Sequence, residues 1–321
     1  MCNSQTISKS ILFFLILYII NYYILIKSNI IYFNNIKVCI CTLGKNENKY
    51  INEFVEYYKN YGIDKIYLYD NNDIDGEHFE DKIQNFINNG FIDIINWRGI
   101  TGGLTYYKIM DNCYQNHYND YDWLIFYELD EFLFLKDYNN VKPYLNQKKF
   151  KKCDSIQLNW VHRSDNNKLY YEDRPLRERF TRVGNNVDKN KLNKICNIKS
   201  IIKGHLNNIT IEHNHLLSTK LKGCNGFGLP SNLSNFLSLA PDYEFYYINH
   251  YYGKTVEEFI EKMNRGDLLK GNKLKVIEYA IEKFFLINNI TSEKLSYIKK
   301  HLGKKYNLTK CFKKYKIKKN D

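Results

Sequence analysis

Residues 122–135 read DWLIFYELDEFLFL, an apolar run that three carboxylates interrupt. The large apolar residues at 123–127 are typical of a strand buried on both faces. Glu128, Asp130 and Glu131 follow, and carboxylates packed this closely repel one another and resist burial unless a cation gathers them. Glu128 and Asp130 share one face of an extended chain, which suits a hard divalent ion. The alternative is a solvated strand end, where acids only mark the exit from the core.

Strands and helices alternate in the sequence before this stretch. The segments KVCICTL (37–43), DKIYLYDN (64–71) and FIDIINW (91–97) have the length and β-branched content of strands. Apolar residues at helical spacing separate them, as at Ile51, Phe54, Val55 and Tyr58. This alternation predicts an α/β fold with a Rossmann-like, mostly parallel sheet flanked by helices on both faces. Because ligands bind beyond the carboxyl ends of such strands, the loops at 45–47 and 70–71 and the acidic stretch should converge on one crevice.

Two common nucleotide-binding motifs do not occur. The chain has no GxGxxG after the first strand and no GxxxxGK[ST], which disfavours a dinucleotide dehydrogenase and a P-loop NTPase. Without a glycine-rich cradle, a nucleotide diphosphate would need a bound cation, and the acidic stretch would hold it. The formal net charge is +12, of which residues 292–321 contribute +9 from eleven lysines and two acids. The nearly balanced remainder gives no reason to expect a nucleic-acid partner.

Eight cysteines are scattered through the chain without a CxxC pair or a Cys/His cluster of zinc-binding spacing. A structural zinc is therefore disfavoured. Cys39 and Cys41 point to the same face of the first strand, and we expect them to pack in the core. The sequence leaves open whether disulfides form and between which cysteines.

Residues 11–26 are apolar except for Asn21, and a membrane-spanning helix needs about 17–25 residues. A cleaved signal peptide is one alternative, but no Ala-x-Ala-like site follows, because the first alanine is Ala240. A buried core helix is the other. We expect an uncleaved, single-pass membrane anchor, with a secretory-pathway or Golgi-like location in a eukaryotic or viral source. Lys9 and Lys27 flank the segment and leave its orientation open.

Cationic and imidazole side chains recur in the second half of the chain. The arginines between residues 174 and 182 can clamp phosphate groups or pair with nearby acids, and Lys199 is a further cation. His215 shares a strand face with a second histidine, and His250 lies among aromatic residues. A histidine is more often structural than a metal ligand, although a neutral imidazole can bind a metal. Arg265 ends a helix, where it complements the helix dipole and can also reach a phosphate.

Several segments, taken in order, carry a resemblance to a known family. They are KNENKYINEFVEYYKNYGIDKIYLYDNND (45–73), FYELDEF (126–132), IQLNWVHRSDNN (156–167), RERF (177–180), KSII (199–202), the H-x-H within 212–215 and INHYYGKTVEEFIEKMNRGD (248–267). Over about residues 37–268 the chain resembles glycosyltransferase family 92 and family 2-like proteins. The resemblance implies a GT-A fold and transfer of a sugar from a nucleotide-sugar donor to a glycan or glycoprotein acceptor. It also implies inversion at the anomeric carbon and a metal cofactor, Mn²⁺ or Mg²⁺.

The resemblance also implies roles for individual residues. Asp130 matches the metal-binding carboxylate of the family's D-x-D element, and Glu128 stands where that element has its first aspartate. The longer side chain of Glu128 leaves open whether it contacts the metal, the ribose or neither. His250, and after it His215, is expected to complete the metal site. The residues expected to bind the donor are Lys45, Asn46, Glu47, Asp70, Glu128, Glu131, Arg179, Lys199 and Arg265.

An inverting transfer needs one carboxylate to deprotonate the acceptor hydroxyl while the donor bond breaks. The candidates are Asp165, Glu172, Glu178 and Glu212. Asp165 lies in a polar loop after a strand and is our first prediction for the catalytic base, with Glu178 as the second catalytic candidate. A metal on Asp130, together with Arg179 or Lys199, would stabilise the leaving diphosphate.

The sequence therefore predicts three parts. These are a tail and membrane anchor at 1–34, one GT-A-like domain at 35–290 and a Lys-rich, solvated tail at 291–321. Two other functions fit the same acidic stretch. One is a nucleotidyl- or phosphotransferase. The other is a degenerate, non-catalytic GT-A domain that binds sugars, an alternative that stays open because Glu128 stands where an aspartate is expected.

Overall fold

The computed structural model describes residues 15–22, 36–100, 102, 105–186, 196–213, 215, 217–231, 237–238, 241–265, 273–306, 308 and 312. Helix α1 comprises residues 15–22. It is followed by β1 (Val38–Gly44), α2 (Asn48–Asn60), β2 (Lys65–Asp70), α3 (Glu80–Asn88), β3 (Ile92–Asn96), α4 (Thr105–His117), β4 (Trp123–Phe126), β5 (Glu131–Leu135) and α5 (Val141–Leu145). The second half contains a 3-10 turn (Lys148–Phe150), β6 (Ser155–His162), α6 (Leu176–Arg179), β7 (Cys196–Lys203), β8 (Gly223–Asn225), β9 (Leu237–Ser238) and β10 (Tyr246–His250). The chain continues with α7 (Val256–Arg265), α8 (Lys273–Ile287), α9 (Ser292–Ile298), a π-helical turn (Lys299–Gly303) and α10 (Lys304–Tyr306).

The membrane anchor expected at residues 11–26 is not supported. Within that range the structure describes only α1, whose side chains are exposed. Among all described helices, none has the length and apolar character that crossing a bilayer requires. This finding corrects the prediction of a transmembrane helix and the single-pass membrane location that rested on it. The rest of the predicted span lies outside the described residues.

The strands form a mixed sheet in the order β3-β2-β1-β4-β7-β6-β10-β5. The strands β3, β2, β1 and β4 are parallel to one another, as the strand–helix alternation predicts. In contrast, β7 is antiparallel to both β4 and β6, and β10 is parallel to β6 but antiparallel to β5. The short strands β8 and β9 pair with β6 and β7. The sheet is thus parallel in its first half and mixed in its second, rather than mostly parallel throughout.

The stretch predicted as one strand forms two. β4 ends at Phe126, residues 127–130 turn, and β5 begins at Glu131. The turn is closed by two hydrogen bonds: Glu131 N donates to Glu128 O at 2.9 Å, and Glu128 N donates to Glu131 Oε2 at 3.0 Å. β5 then pairs with β10 at the opposite edge of the sheet from β3. The three carboxylates consequently lie where the chain passes from the parallel half to the mixed half.

The alternating side chains of β1 enter two separate cores. Val38 and Ile40 join a core with residues of α2 and α3, whereas Cys39 and Cys41 pack with residues of α4. Helices therefore cover both faces of the sheet, as predicted. A disulfide between Cys41 and Cys113 links β1 to α4, and a second links residues 153 and 224. The prediction that Cys39 and Cys41 lie in the core is confirmed.

Residues 292–306 do not form the solvated tail that their lysines suggested. Leu295, Ile298 and Leu302 are buried in a core that they share with α7 and α8. Lys294 is also buried, and its Nζ lies 2.5 Å from Oδ2 of Asp165. The predicted boundary at residue 290 therefore falls between two helices, α8 and α9, that contribute to the same core.

We expect Lys294→Met to lower the free energy of unfolding by about 3–5 kcal/mol, because it leaves the Asp165 carboxylate buried without its cationic partner. Urea denaturation at neutral pH measures the change. As a control, Lys300→Met removes an exposed lysine from the following turn. It should change stability by less than about 0.5 kcal/mol. Equal effects of the two substitutions would contradict the assignment of Lys294 to a buried ion pair.

Candidate active site

Lys199 faces two of the three carboxylates in the turn after β4. It lies on β7, which neighbours β4 in the sheet, and its side chain is fully buried. Its Nζ lies 2.8 Å from Glu128 Oε1 and 3.5 Å from Glu131 Oε1. It also donates a hydrogen bond to the Tyr106 hydroxyl at 3.0 Å. At Glu128 and Glu131, the cation expected beside the acids is therefore a lysine of the chain itself.

Asp130 has two lysine partners and an imidazole partner. Nζ of Lys254, in the loop after β10, lies 2.9 Å from Asp130 Oδ2, and Nζ of Lys262 on α7 lies 3.4 Å from the same oxygen. The other oxygen, Oδ1, lies 3.5 Å from Nε2 of His250 at the end of β10. Lys254 has a φ of 54°, in the left-handed region that side chains disfavour. We define the carboxylate–lysine cluster as Glu128, Asp130, Glu131, Lys199, His250, Lys254 and Lys262.

Burial and ion pairing set the charges of this cluster. Burial opposes ionisation of Asp130, but Lys254 and Lys262 hold its pKa well below the ordinary value. Burial likewise opposes ionisation of Glu128, but Lys199 lowers its pKa to about 2. Burial raises the pKa of Glu131 to about 8, although the nearby Lys199 acts in the opposite direction. Burial lowers the pKa of His250 to about 4, so its imidazole is neutral at that pH.

The cluster contains buried polar atoms that make no hydrogen bond within the described part of the chain. These are Asp130 Oδ1, Glu131 Oε1 and both ring nitrogens of His250. Single ligand atoms of Glu128, Glu131 and His250 lie within 4.8 Å of one another. Carboxylate oxygens and a neutral imidazole are suitable ligands for a divalent cation. The residues present therefore fit a divalent ion, and Oδ1 of Asp130 is the oxygen of that carboxylate that lies toward His250 rather than toward the lysines.

His215, the second predicted metal-binding histidine, packs against Trp160. Its Nδ1 is 2.7 Å from the carbonyl oxygen of Ile198. The Trp160 ring centroid lies 4.9 Å from that of His215 and 4.2 Å from that of His250. Of the two histidines, the structure brings His250 to the carboxylates, and it places His215 against the tryptophan that supports His250.

A cleft of about 500 Å³ opens at the carboxyl ends of β1 and β2, and we call it the β1–β2 cleft. The loops that follow these strands line it together with α7, and its lining includes Asn46, Glu47, Asp73, Lys254, Lys262 and Arg265. Next to it, Lys45 Nζ lies 2.6 Å from Asp73 Oδ1, and Arg265 Nη1 lies 3.1 Å from Glu47 Oε1. Because Lys254 and Lys262 also contact Asp130, the cleft adjoins the carboxylate–lysine cluster. The structure thus brings the predicted loop at 45–47 and Arg265 together beside Asp130.

Asp70, predicted to contact the nucleoside, instead organises the loop after β2. Its Oδ2 lies 2.5 Å from Arg98 Nη1, and its Oδ1 accepts hydrogen bonds from the backbone and side-chain nitrogens of Asn72 at 2.9 and 2.7 Å. Arg98 donates to the carbonyl oxygens of Asp73 and Gly76 at 2.8 and 2.9 Å. Asn72 Oδ1 in turn accepts from Asn46 N at 2.7 Å. Asp70 therefore shapes one wall of the cleft through its neighbours.

Arg179, predicted to bind the diphosphate, lies inside the protein. Its Nη1 and Nη2 donate to the two carboxylate oxygens of Glu258 at 2.8 and 2.9 Å, and both side chains are almost completely buried. Glu258 also accepts hydrogen bonds from the hydroxyls of Tyr50 and Thr255, both at 2.7 Å. This bidentate pair joins α6 to α7. The guanidinium is thus directed into the core, which argues against the predicted contact with phosphate.

The two predicted catalytic acids have partners outside the cluster. Asp165 is paired with Lys294, and its backbone nitrogen donates to Asn288 Oδ1 at 2.7 Å, so the C-terminal helices hold it. Glu178 is exposed, lies 3.4 Å from Arg174 and lines a second cleft of about 970 Å³ that runs along α2. The structure therefore does not bring either acid into contact with the carboxylate–lysine cluster within the described residues.

Sequence reasoning missed Lys254, Lys262 and Arg98. A signal existed for the two lysines, since both follow His250 within the last of the resembling segments. Arg98 follows β3, whose carboxyl end lies at the same sheet edge as those of β1 and β2. In a chain with this many lysines, however, spacing alone does not single out the two that reach an acid.

We expect Arg179→Leu to lower the free energy of unfolding by about 3–5 kcal/mol, because Glu258 would stay buried without its cation. Thermal and urea denaturation measure the loss. Arg174→Leu is the matched control, since this arginine is exposed and its pair with Glu178 should contribute less than about 1 kcal/mol. A stable Arg179→Leu protein that had lost only its affinity for nucleotide would contradict the structural role of Arg179. It would support the predicted contact between Arg179 and phosphate.

Comparisons with known proteins give one family match. The model described as Glycosyltransferase family 92 matches residues 34–267. Among solved structures, Staphylococcus aureus TarS 1–349 has 11% identity and a TM-score of 0.35 over 85% of this chain and 73% of that one. The same protein in complex with UDP-GlcNAc has 12% identity and a TM-score of 0.37 over 85% and 74%. A putative glucose-1-phosphate thymidylyltransferase from Bacillus anthracis has 11% identity and a TM-score of 0.29 over 80% and 87%. Structural scores this low support no functional inference, and no curated protein matches the chain.

Proposed function

The chain belongs to glycosyltransferase family 92 and is a glycosyltransferase, and we propose that it moves a sugar from a nucleotide-sugar donor in the β1–β2 cleft to a hydroxyl of a glycan or glycoprotein, with inversion at the anomeric carbon. One observation carries the proposal. Lys254 and Lys262 line the cleft and also contact Asp130, so cations for a diphosphate and the acidic cluster share one place.

The cleft suits a nucleotide diphosphate in size and charge. Its volume of about 500 Å³ lies within the range of about 300–1,000 Å³ that is common for small-molecule sites. Lys254 and Lys262 supply ammonium groups for phosphate oxygens, and Arg265 extends this wall. The nucleoside would lie between the loop at 45–47 and the loop that Asp70 and Arg98 hold in place.

A divalent ion, Mn²⁺ or Mg²⁺, completes the proposed site. Asp130 and His250 would hold it, together with Glu128 or Glu131 from the same turn. When bound, the ion would supply positive charge to the leaving diphosphate. Lys199 keeps Glu128 ionised and thus able to act as a ligand, while Trp160 holds the His250 ring in place.

The proton acceptor stays a prediction. Asp165 and Glu178 are the two sequence-based candidates, and their partners in the structure favour a structural role for Asp165 and a surface role for Glu178. The acceptor class and the inverting outcome likewise rest on the family resemblance.

A panel of nucleotide sugars, tested with the full chain and a mixture of glycan acceptors, should identify one donor that releases nucleoside diphosphate when Mn²⁺ is present. Chelation of the metal should abolish the release. The same panel should include nucleoside triphosphates. Release of pyrophosphate from one of them, with none of the sugars used, would replace our proposal by a nucleotidyltransferase.

Asp130→Asn should reduce this donor-dependent release by at least about a hundredfold, because it removes the charge that faces both the metal and the lysines. The control is Asp137→Asn, which neutralises an exposed acid just after β5. Steady-state rates at saturating Mn²⁺ measure both variants. Full activity of the Asp130 variant, or equal loss in both, would refute the role of the cluster.

A further inference from the structure

Lys283 is a cation of the site region that the proposed function does not use. It lies on α8, beyond the segment that the family model matches. Its Nζ lies 4.0 Å from the ring centroid of Tyr252 and 5.1 Å from that of Trp160. Within the described residues it has neither a hydrogen bond nor an ion pair. Such an ammonium group is held by aromatic faces and still has its donors available.

A second ammonium group lies on the same aromatic ring. Nζ of Lys262 is 4.6 Å from the Tyr252 ring centroid, so the two ammonium nitrogens are less than about 9 Å apart. Like charges this close repel each other in a partly buried place. Burial and the neighbouring Lys262 lower the pKa of Lys283 to about 8. An anion between the two lysines would remove this repulsion.

The carboxylates of the cluster do not supply that anion. Glu128 is paired with Lys199, and Asp130 is paired with Lys254 as well as Lys262. Glu131 is the third acid, and its Oε1 lies 3.5 Å from the Nζ of Lys199. Lys283 is therefore a surplus positive charge beside a cluster whose acids are already matched. A site of this kind is electrostatically incomplete without an anionic ligand.

We propose that Lys283 and Lys262, held on the ring of Tyr252, form a two-ammonium site for the diphosphate of the donor. The inference rests on the proposed function and deepens it by assigning a substrate contact to the C-terminal helix α8. Trp160 and Tyr252 position Lys283, and Lys262 connects this site to the β1–β2 cleft and to Asp130. No covalent bond to either lysine forms or breaks, and both remain protonated while the diphosphate is bound.

The test measures the binding of uridine diphosphate, guanosine diphosphate and inorganic pyrophosphate to the full chain by calorimetry. Lys283→Met keeps the aliphatic stem and removes the charge, and it should weaken binding of diphosphate and pyrophosphate about tenfold, the loss of roughly one charged hydrogen bond. Lys283→Arg should restore most of the affinity. Lys149→Met is the matched control, because Lys149 also lies over aromatic rings, at 4.7–5.0 Å, and belongs to a 3-10 turn outside the site.

Each outcome distinguishes the two proposals. Unchanged affinity in Lys283→Met, or equal weakening in Lys283→Arg, overturns the two-ammonium site and leaves the proposed function standing. If the unaltered protein binds pyrophosphate but no nucleoside diphosphate, and Lys283→Met weakens pyrophosphate binding, the anion site stands and the nucleotide donor is refuted. Binding of none of the three probes overturns both.

Discussion

A buried carboxylate without a partner costs several kcal/mol, and the buried Asp130 and Glu131 lie with the half-buried Glu128 within four residues after the end of β4. The structure meets this constraint with lysines from three separate elements: β7, the loop after β10 and α7. Each of these elements must therefore lie against the turn at residues 127–130. Strands from the second half of the chain are in this way tied to the parallel strands of the first half. The same ion pairs that stabilise the junction belong to the proposed active site.

The position of the acidic turn also explains where the cleft lies. β4 belongs to the parallel half of the sheet, whereas β5 pairs with β10 at the far edge. A chain that leaves one half of the sheet and enters the other opens a crevice between the loops at the carboxyl ends of the strands. α7 closes that crevice from the other side, and Lys262 and Arg265 project into it from this helix. The C-terminal core beneath α7, with α8 and α9, holds the helix in place.

Local patterns were sufficient for the first half of the fold and insufficient for much of the site. Alternation and helical spacing predicted β1 to β3 and their helices, because these signals are contained in neighbouring residues. The division of residues 122–135 was missed, since the apolar runs on both sides of the acids read as one continuous strand. The sequence correctly indicated that a cation lies among the acids, but the sequence pattern does not distinguish a lysine ammonium group from a bound metal ion.

The buried role of Arg179 could not be predicted, because its partner, Glu258, is 79 residues away in the chain and no local pattern connects the two. The spacing of Leu295, Ile298 and Leu302 did contain a helical signal, which the density of lysines obscured.

Lys254 adopts an unfavourable backbone conformation, and this allows its ammonium group to contact Asp130. A residue with a side chain in the left-handed region is less stable there by about 1–2 kcal/mol, and glycine is free of this cost. Glycine at position 254 would relax the loop, yet it would leave Asp130 with one lysine fewer. Backbone conformation and ion pairing thus favour different residues at this one position. A variant with glycine at residue 254 would have a less strained loop, but its buried Asp130 carboxylate would be less well stabilised.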